Sequence, residues 1–219
     1  MIRRFVRLAA SLLLVLAGAA SAQSPAPPAD PARVVITTAL GAIVVELDVA
    51  RAPVTSANFL RYAAQKRFDG TVFYRAMRLA WGEQPNGLIQ GGAQNDPKRV
   101  LKPIAHEPTN LTGVLHKAGT ISMARYAPGT ATGDFSILLS DMPGLDADPN
   151  ATDPDAAAGF AAFGRVVEGM DVVRRIWDAP LSATKGEGVM RGQMLEAPVR
   201  ILSVRRLTVS GKAGAPPPR

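Results

Sequence analysis

Two hydrophobic runs near the start of the chain alternate with polar positions and are separated by a glycine turn. Residues 34–38 and 43–47 are rich in β-branched side chains, and Leu40-Gly41-Ala42 lies between them. β-Branched side chains pack well on a pleated surface, and a glycine between two such runs is typical of a tight turn. The pattern therefore predicts a β-hairpin.

Two later segments have the apolar spacing of a helix. Apolar residues recur on one face from Pro53 to about Lys66, and a proline suits the first turn of a helix, where its missing N–H costs nothing. A second helix is predicted to begin at Gly169. Its expected buried face comprises Val172, Val173, Ile176 and Trp177.

Several further runs have the character of short strands. They lie at residues 71–77, 119–124, 135–139, 161–167 and 199–208. Many short strands with only two helices favour a mainly β fold over a doubly wound α/β sheet. The predicted architecture is therefore a closed antiparallel β-barrel capped by the two helices.

The two ends of the chain differ in composition from the region between them. Residues 1–22 combine an arginine-rich start, an apolar run and a small-residue cleavage pattern, which together predict a cleavable secretory signal. Residues 23–31 form a Pro/Ala-rich linker, and residues 210–219 form a Gly/Pro-rich tail that we expect to be disordered. One folded domain is predicted at residues 32–209. We expect it to be exported to the periplasm, without stable membrane insertion after signal cleavage.

The composition of the chain excludes cysteine-based sites and argues against nucleic-acid binding. The chain has no cysteine, which excludes disulfides, thiolate metal sites and a cysteine nucleophile. Its net charge of +7 would fall to +4 on removal of the three arginines in the signal, and no dense basic run concentrates this charge. Nucleic acid is therefore not an expected partner.

Four separated segments, read in order, resemble those of one protein family. They are Phe-Tyr-Arg at 73–75, Leu-Ile-Gln-Gly-Gly at 88–92, Ile-Ser-Met-Ala-Arg at 121–125 and Phe-Gly-Arg-Val-Val-Glu-Gly-Met at 163–170. In this order they are similar to a cyclophilin, a peptidyl-prolyl cis/trans isomerase. The resemblance implies a cyclophilin-like barrel and X-Pro isomerisation without metal or cofactor. It also implies that the partners are proline-containing unfolded or partly folded polypeptides, and we expect a monomer.

The resemblance assigns catalysis to Arg75 and Gln90. In cyclophilins the arginine of the matching segment is catalytic, and the glutamine lies beside it and bonds the substrate carbonyl. Because side chains alternate along a strand, Phe73 and Arg75 are expected to share one face. Tyr74, which replaces the family's histidine, is then expected to point away from Arg75 with little catalytic effect.

The resemblance also implies a hydrophobic cup that receives the proline ring. The family pattern carries over to Met123, Phe135 and Leu145, and Phe73 adds to the substrate-binding set. Two more residues belong to this set. Leu88 follows an apparent loop insertion at residues 81–86, and Phe160 is expected to supply part of the apolar wall.

Several positions around the cup depart from the family pattern. Asp134 replaces a glutamine and Ser136 a pocket phenylalanine, while Gly87 replaces a second pocket aromatic and Gly144 a frequent tryptophan. These departures leave an alternative open. In this alternative, the chain is a cyclophilin-like peptide-binding module or chaperone with little isomerase activity.

Other chemistries find little support in the residues. His106 and His116, the only histidines, lack zinc-binding spacing, and Ser122 and Ser136 have no nearby base pattern. The acidic stretch at 146–155 contains enough oxygen ligands for a calcium loop. Its prolines and irregular spacing favour a solvated surface insertion instead, over residues 146–158.

Overall fold

Eight antiparallel strands close into a barrel in the computed structural model, which describes residues 32–207. The strands are β1 Ala32–Thr38, β2 Gly41–Leu47, β3 Val72–Arg78, β4 Gly87–Gly92, β5 Thr120–Met123, β6 Asp134–Leu138, β7 Ala162–Glu168 and β8 Met194–Arg206. Their order around the barrel is β1-β2-β7-β5-β6-β4-β3-β8, and β8 pairs with β1 to complete the ring. The predicted mainly β, closed antiparallel barrel is confirmed. The predicted signal at 1–22, linker at 23–31 and tail at 210–219 lie outside the described residues.

The two predicted helices are present, and two single-turn helices accompany them. The helices are α1 Pro53–Ala64, α2 Thr109–Thr112, α3 Pro154–Ala158 and α4 Met170–Asp178. α1 packs against β7 and β8, whereas α4 packs against β2, β3 and β4. The buried face of α4 consists of the four residues expected from the apolar spacing. Within residues 32–207 no helix has the length and apolarity needed to cross a membrane.

A distant carboxylate caps the start of α1. Ala52, at the N-cap position, has no side chain that can accept a hydrogen bond. Glu107 accepts instead, from the backbone N–H groups of Val54 and Thr55 at 3.0 and 2.7 Å. These two bonds satisfy N–H groups that have no partner within the helix, and the carboxylate places a negative charge at the positive end of the helix.

Phenylalanine rings fill much of the barrel interior. Phe59 of α1 lies at the centre of a cluster whose ring centroids are 4.9–5.7 Å apart. The other members are Phe68, Phe73, Phe135 and Phe163. All five rings are fully buried, and tilted or edge-on aromatic pairs add to the stabilisation from burial. The interior is therefore a packed core without a channel.

Candidate active site

A β-bulge in β3 determines the geometry of the site. Phe73 lies opposite Gly91 and Arg75 lies opposite Gln90, so Tyr74 is an extra residue between the two pairs. Such a bulge interrupts the alternation of side chains and re-aims them. Phe73 is buried in the barrel, whereas Tyr74 and Arg75 both contact Gln90 outside it. The expectations that Phe73 and Arg75 share a face, and that Tyr74 points away from Arg75, are therefore wrong.

Two neighbouring rows of residues cross β3, β4, β6 and β5 in that order. The outer row consists of Arg75, Gln90, Ser136 and Ser122, each paired with the next. The inner row consists of Phe73, Gly91, Phe135 and Met123, paired in the same way. Directly opposed residues of antiparallel strands share a face. The outer row therefore faces away from the barrel core and the inner row faces into it.

The inner row contains three residues that were expected to form the proline cup. Phe73, Met123 and Phe135 are 0, 3 and 0 % exposed and belong to the hydrophobic core. The structure does not bring them to the surface beside Arg75, because they lie on the opposite side of the barrel wall. Gly91 makes room for them, since a Cβ at this position would lie 2.8 Å from the ring of Phe73.

Two glutamine side chains hold the guanidinium of Arg75. Its Nη1 donates to Oε1 of Gln90 at 2.7 Å, and its Nε and Nη2 donate to Oε1 of Gln193 at 2.9 and 2.6 Å. A guanidinium has five N–H groups, so two remain available after its contacts with residues 32–207. Burial lowers the pKa of Arg75 from its usual high value, but a guanidinium remains charged at neutral pH. The site therefore presents a fixed cation with N–H groups to spare.

Sequence reasoning missed Gln193, which is 118 residues from Arg75. It immediately precedes β8, and Met194 at the start of that strand lies opposite Arg75. No local motif marks Gln193. Only the pairing of β8 with β3 could have identified it, and the predicted strand began five residues later, at residue 199.

A chain of polar groups continues from Arg75 to a buried carboxylate. Because the Gln90 oxygen accepts from Arg75, the Gln90 amide nitrogen faces Tyr74 and donates to its hydroxyl at 2.8 Å. Tyr74 in turn interacts with Asp134, which also accepts from the backbone N–H of Gln94 at 2.9 Å. Burial raises the pKa of Asp134, and these hydrogen bonds partly offset that increase. Burial, with a smaller effect of Asp134, likewise raises the pKa of Tyr74.

Three of the predicted pocket residues lie outside the core cluster. Leu88 precedes Gln90 by two residues on the outer face of β4 and is 6 % exposed. The carbonyl of Leu145 accepts from the backbone N–H of Phe160 at 2.9 Å, so these two residues are adjacent. The guanidinium of Arg125 covers the half-buried Phe160 ring, with its central carbon 4.5 Å from the ring centroid. These three residues are therefore candidates for an apolar wall on the outer side of the sheet.

The loop between β3 and β4 ends at a position that requires glycine. Gly87 has φ +152°, and a Cβ there would lie only 1.9 Å from the carbonyl oxygen of Met77. An aromatic side chain therefore cannot occupy this position without moving the backbone. Asn86 anchors the preceding loop, because it donates to the Trp81 carbonyl and accepts from Ser140, both at 2.7 Å.

Buried polar side chains connect the Leu145 segment to β5. Nδ1 of His116 lies 2.7 Å from Asp146, and its Nε2 lies 2.8 Å from Oγ of Ser122. The expectation that Ser122 has no base nearby is therefore wrong. The His116 side chain is fully buried and Ser122 is buried beneath the surface, so this hydroxyl is not placed to attack a polypeptide. The arrangement ties Asp146, and with it the adjoining Leu145, to the sheet.

The acidic stretch at 146–155 is divided among separate structural contacts. Asp153 accepts from two backbone N–H groups at the start of α3. Asp155 pairs with Arg125, and Asp146 bonds His116. Within the described part of the chain, no group of three or more acidic or histidine side chains is arranged to hold a metal ion. The contacts of these carboxylates therefore fit an ordered surface insertion.

The fold and the outer site together define a cyclophilin-like barrel whose wall presents a cationic hydrogen-bonding site. The family of cyclophilin-type peptidyl-prolyl cis-trans isomerases matches residues 33–206, and the chain belongs to this family. A peptidyl-prolyl cis-trans isomerase of Acinetobacter baylyi is 37 % identical over 172 residues, covering 77 % of this chain and 81 % of that protein. The isomerase cyp18 of Streptomyces antibioticus is 35 % identical over 155 residues, covering 69 % and 86 %.

Solved structures agree with the fold. A cyclophilin-type isomerase of Cryptosporidium parvum, crystallised in the presence of the dipeptide Ala-Pro, superposes with a TM-score of 0.62. The alignment covers 80 % of this chain and 99 % of that one, at 19 % identity. This likeness supports the closed barrel architecture.

Proposed function

We propose that this isomerase accelerates X-Pro isomerisation in exported polypeptides, with Arg75 as its catalytic residue. The chain is a cyclophilin-type peptidyl-prolyl isomerase by family. The observation that carries the assignment of Arg75 is its hydrogen bonding. Three N–H groups are fixed by Gln90 and Gln193, and two remain directed elsewhere on a permanent cation.

The reaction requires stabilisation of a twisted amide. Resonance gives the peptide C–N bond partial double-bond character, with a rotational barrier of about 18–20 kcal/mol. In the twisted state the prolyl nitrogen regains its lone pair and can accept a hydrogen bond, which the planar amide cannot do. An N–H group of Arg75 donated to this nitrogen would therefore stabilise the transition state selectively. No bond to the enzyme forms, and no proton is transferred.

Gln90 has a second role in this proposal. Its amide nitrogen carries two N–H groups, and Tyr74 accepts one of them. The other can donate to a substrate carbonyl while Arg75 holds the amide in position. The proline ring would rest against Leu88, Leu145 and Phe160, which lie outside the barrel core. The inner-row residues Phe73, Met123 and Phe135 support this wall from behind.

The test compares Arg75→Ala with a matched arginine on the barrel surface. Removing a preorganised donor to a transition state typically lowers kcat by about 10²–10³. Arg165→Ala is the control, because Arg165 is 71 % exposed and only loosely paired with Glu46. Peptide isomerisation and proline-limited refolding are the readouts, and circular dichroism checks that both variants fold. Unchanged kcat/KM in a folded Arg75→Ala variant would falsify the assignment.

We also propose a periplasmic location and a monomeric state. The support is the signal pattern at residues 1–22 and the cleavage sequence Ala20-Ser21-Ala22. Mass spectrometry of the protein recovered from the periplasm of a Gram-negative host should give an N-terminus at Gln23. Recovery of only the uncleaved chain from the cytoplasm would contradict export. Light scattering on the purified protein tests the monomer.

A peptide-binding module with little isomerase activity is the second candidate. The observation that favours it is that two positions near the site, Ser136 and Gly144, have a small side chain or none. Ser136 is the outer-row neighbour of Gln90, and a Cβ at Gly144 would have no atom within 4 Å. If proline peptides bind by calorimetry but isomerise at the uncatalysed rate, this candidate replaces the enzyme.

A further inference from the structure

Basic side chains that are dispersed in sequence gather on one part of the surface, which we call the basic face. It consists of Lys66, Arg67, Lys98, Arg99, Arg200, Arg205 and Arg206. Within residues 32–207, the carboxylates that form salt bridges with these side chains are Asp69 and Asp96. The basic face therefore carries a net charge of +5, whereas residues 32–207 as a whole contain 20 basic and 17 acidic side chains, a net of +3. The rest of the described surface is slightly acidic.

Two adjoining clefts lie on the basic face, so its charges surround defined concave sites. The larger, of about 410 Å³, lies between Lys66 and Arg67 on one side and Lys98 and Arg99 on the other. The smaller, of about 220 Å³, has an apolar side formed by α1. Its lining comprises Leu60, Ala63, Ala64, Lys66, Arg205 and Arg206. Lys66 lines both clefts, so they adjoin at this residue.

Two arginines brace the larger cleft, and one of them, Arg67, pairs with no carboxylate of residues 32–207. Nη1 of Arg67 donates to the carbonyl of Arg99 at 2.8 Å, and Nη1 of Arg99 donates to the carbonyl of Arg67 at 3.0 Å. These acceptors are neutral carbonyls, so the reciprocal bonds fix the side chains without neutralising Arg67. The single carboxylate contact is between Arg99 and Asp96 at 3.4 Å. The positive charges are thus in place before any partner arrives.

Lys66 occupies a backbone conformation that normally belongs to glycine. It follows the C-cap residue of α1 with φ +55°, the left-handed region that glycine adopts most readily. A lysine at this position costs stability relative to glycine. The chain therefore places a cation at the junction of the two clefts at some cost to the fold.

We propose that the basic face binds the surface of an anionic phospholipid bilayer. Cations beside a cleft with an apolar side suit a ligand that joins a negatively charged head group to a hydrocarbon chain. Two leucines close in sequence to Arg200 and Arg206, Leu202 and Leu207, are 50 and 40 % exposed. The residues that line the two clefts include no aromatic side chain, whereas single-stranded nucleic acids are bound largely by stacking on such side chains. The isomerase would then work at the membrane surface while remaining a peripheral protein.

The test measures co-sedimentation of the full chain with vesicles. Vesicles of phosphatidylcholine are compared with vesicles that contain about 30 % phosphatidylglycerol, which provide the negative surface potential. The apolar run in residues 8–20 could itself bind lipid, so the readout is the ratio of anionic to neutral binding. We expect a large ratio that falls as salt rises.

Charge reversal locates the binding surface. Each Lys or Arg near an anionic bilayer raises partitioning roughly fivefold, so Lys66→Glu with Lys98→Glu should lower the ratio at least about 25-fold. The matched control is Arg165→Glu with Arg174→Glu, which changes the net charge equally on exposed positions elsewhere. We expect the control to lower the ratio less than about threefold. Isomerisation of a soluble peptide should be unchanged in both double variants, which separates this proposal from the assignment of Arg75.

Lys66→Gly separates lipid binding from folding. The substitution removes one cation and relieves the left-handed strain, so it should raise Tm while lowering the vesicle ratio roughly fivefold. Equal binding to neutral and anionic vesicles, or equal losses in the control and basic-face variants, would overturn the proposal. Tighter, basic-face-dependent binding to a single-stranded oligonucleotide would assign the surface to nucleic acid. Displacement from vesicles by inorganic phosphate, but not by chloride of equal ionic strength, would assign it to soluble phosphate.

Discussion

The inner and outer rows of the barrel wall differ in chemistry although they lie on the same four strands. The inner row is held by ring packing, as in the contact of Phe73 with Phe135 at 5.7 Å. The outer row is held by directional hydrogen bonds of 2.6–2.9 Å around Arg75. Packing tolerates small shifts, whereas a donor aimed at a transition state does not. The wall thus separates residues packed in the core from the polar residues that hold Arg75.

The largest effect expected on the inner row is a loss of stability. Phe135→Ala removes a fully buried ring from the aromatic cluster, and the free energy of unfolding should fall by about 3–5 kcal/mol. Urea denaturation measures the loss. Isomerase activity per folded molecule should change little, since Phe135 faces the core. A Phe135→Leu variant serves as the conservative control and should lose less.

Gln193→Ala tests whether a distant residue positions Arg75, to which we propose to assign catalysis. Without Gln193, Arg75 loses the acceptor for two of its three hydrogen bonds. We expect kcat to fall about tenfold, equivalent to about 1.4 kcal/mol, with a small change in KM and in Tm. Gln193→Glu restores an acceptor and should recover most of the rate. A matching fall in thermal stability would instead indicate a structural role.

Tyr74→Phe tests the consequence of the β-bulge. The ring remains, but Gln90 loses an acceptor, and Asp134 loses the hydroxyl that helps to lower its pKa. The expected cost is about 1 kcal/mol in stability, accompanied by a fall of a few fold in kcat/KM. Regular alternation counted from Arg75, which lies opposite Gln90, would place this hydroxyl on the other face and predict no kinetic effect. Steady-state kinetics and chemical denaturation distinguish the two.

The smallest effect expected is a dependence of stability on pH through His116. Burial lowers the pKa of His116 below the ordinary 6.5, and Asp146 offsets this only in part. The unfolded chain therefore binds a proton at a higher pH than the folded one, so stability declines as pH falls below about 6.5. In His116→Gln this contribution is absent. The difference in unfolding free energy between wild type and variant should shrink on acidification, and a constant difference would contradict the burial effect.

Much of the barrel was predictable because its strands and helices have recognisable local sequence patterns. The β1-β2 hairpin has β-branched runs around a glycine turn, and α4 has a clear apolar face. Both predictions are confirmed by the strand pairing and by the buried residues. α2 and α3 were missed because a single helical turn is too short to show a period. Part of β8 was missed, since Met194 to Pro198 lack the β-branched pattern that marked residues 199–208.

The site was less predictable because its geometry depends on non-local pairing. Arg75 and Gln90 were identified together, and the structure places them in direct contact. Phe73 and Tyr74 were assigned to the wrong sides because an extra residue in one strand leaves no mark in the sequence. Met123 and Phe135 are apolar and adjacent to the motif, but only the register shows that they face inward. Gln193 and the His116 contacts required the tertiary fold.

The pairing of β8 with both β3 and β1 has a consequence for how the chain folds during its synthesis. This strand closes the barrel, and the residue just before it, Gln193, holds Arg75. While the chain is being synthesised, β1 and β3 lack this neighbour, and exposed strand edges can pair with other chains. Pairing of β8 therefore covers both exposed strand edges and completes the hydrogen bonding of Arg75 in one event.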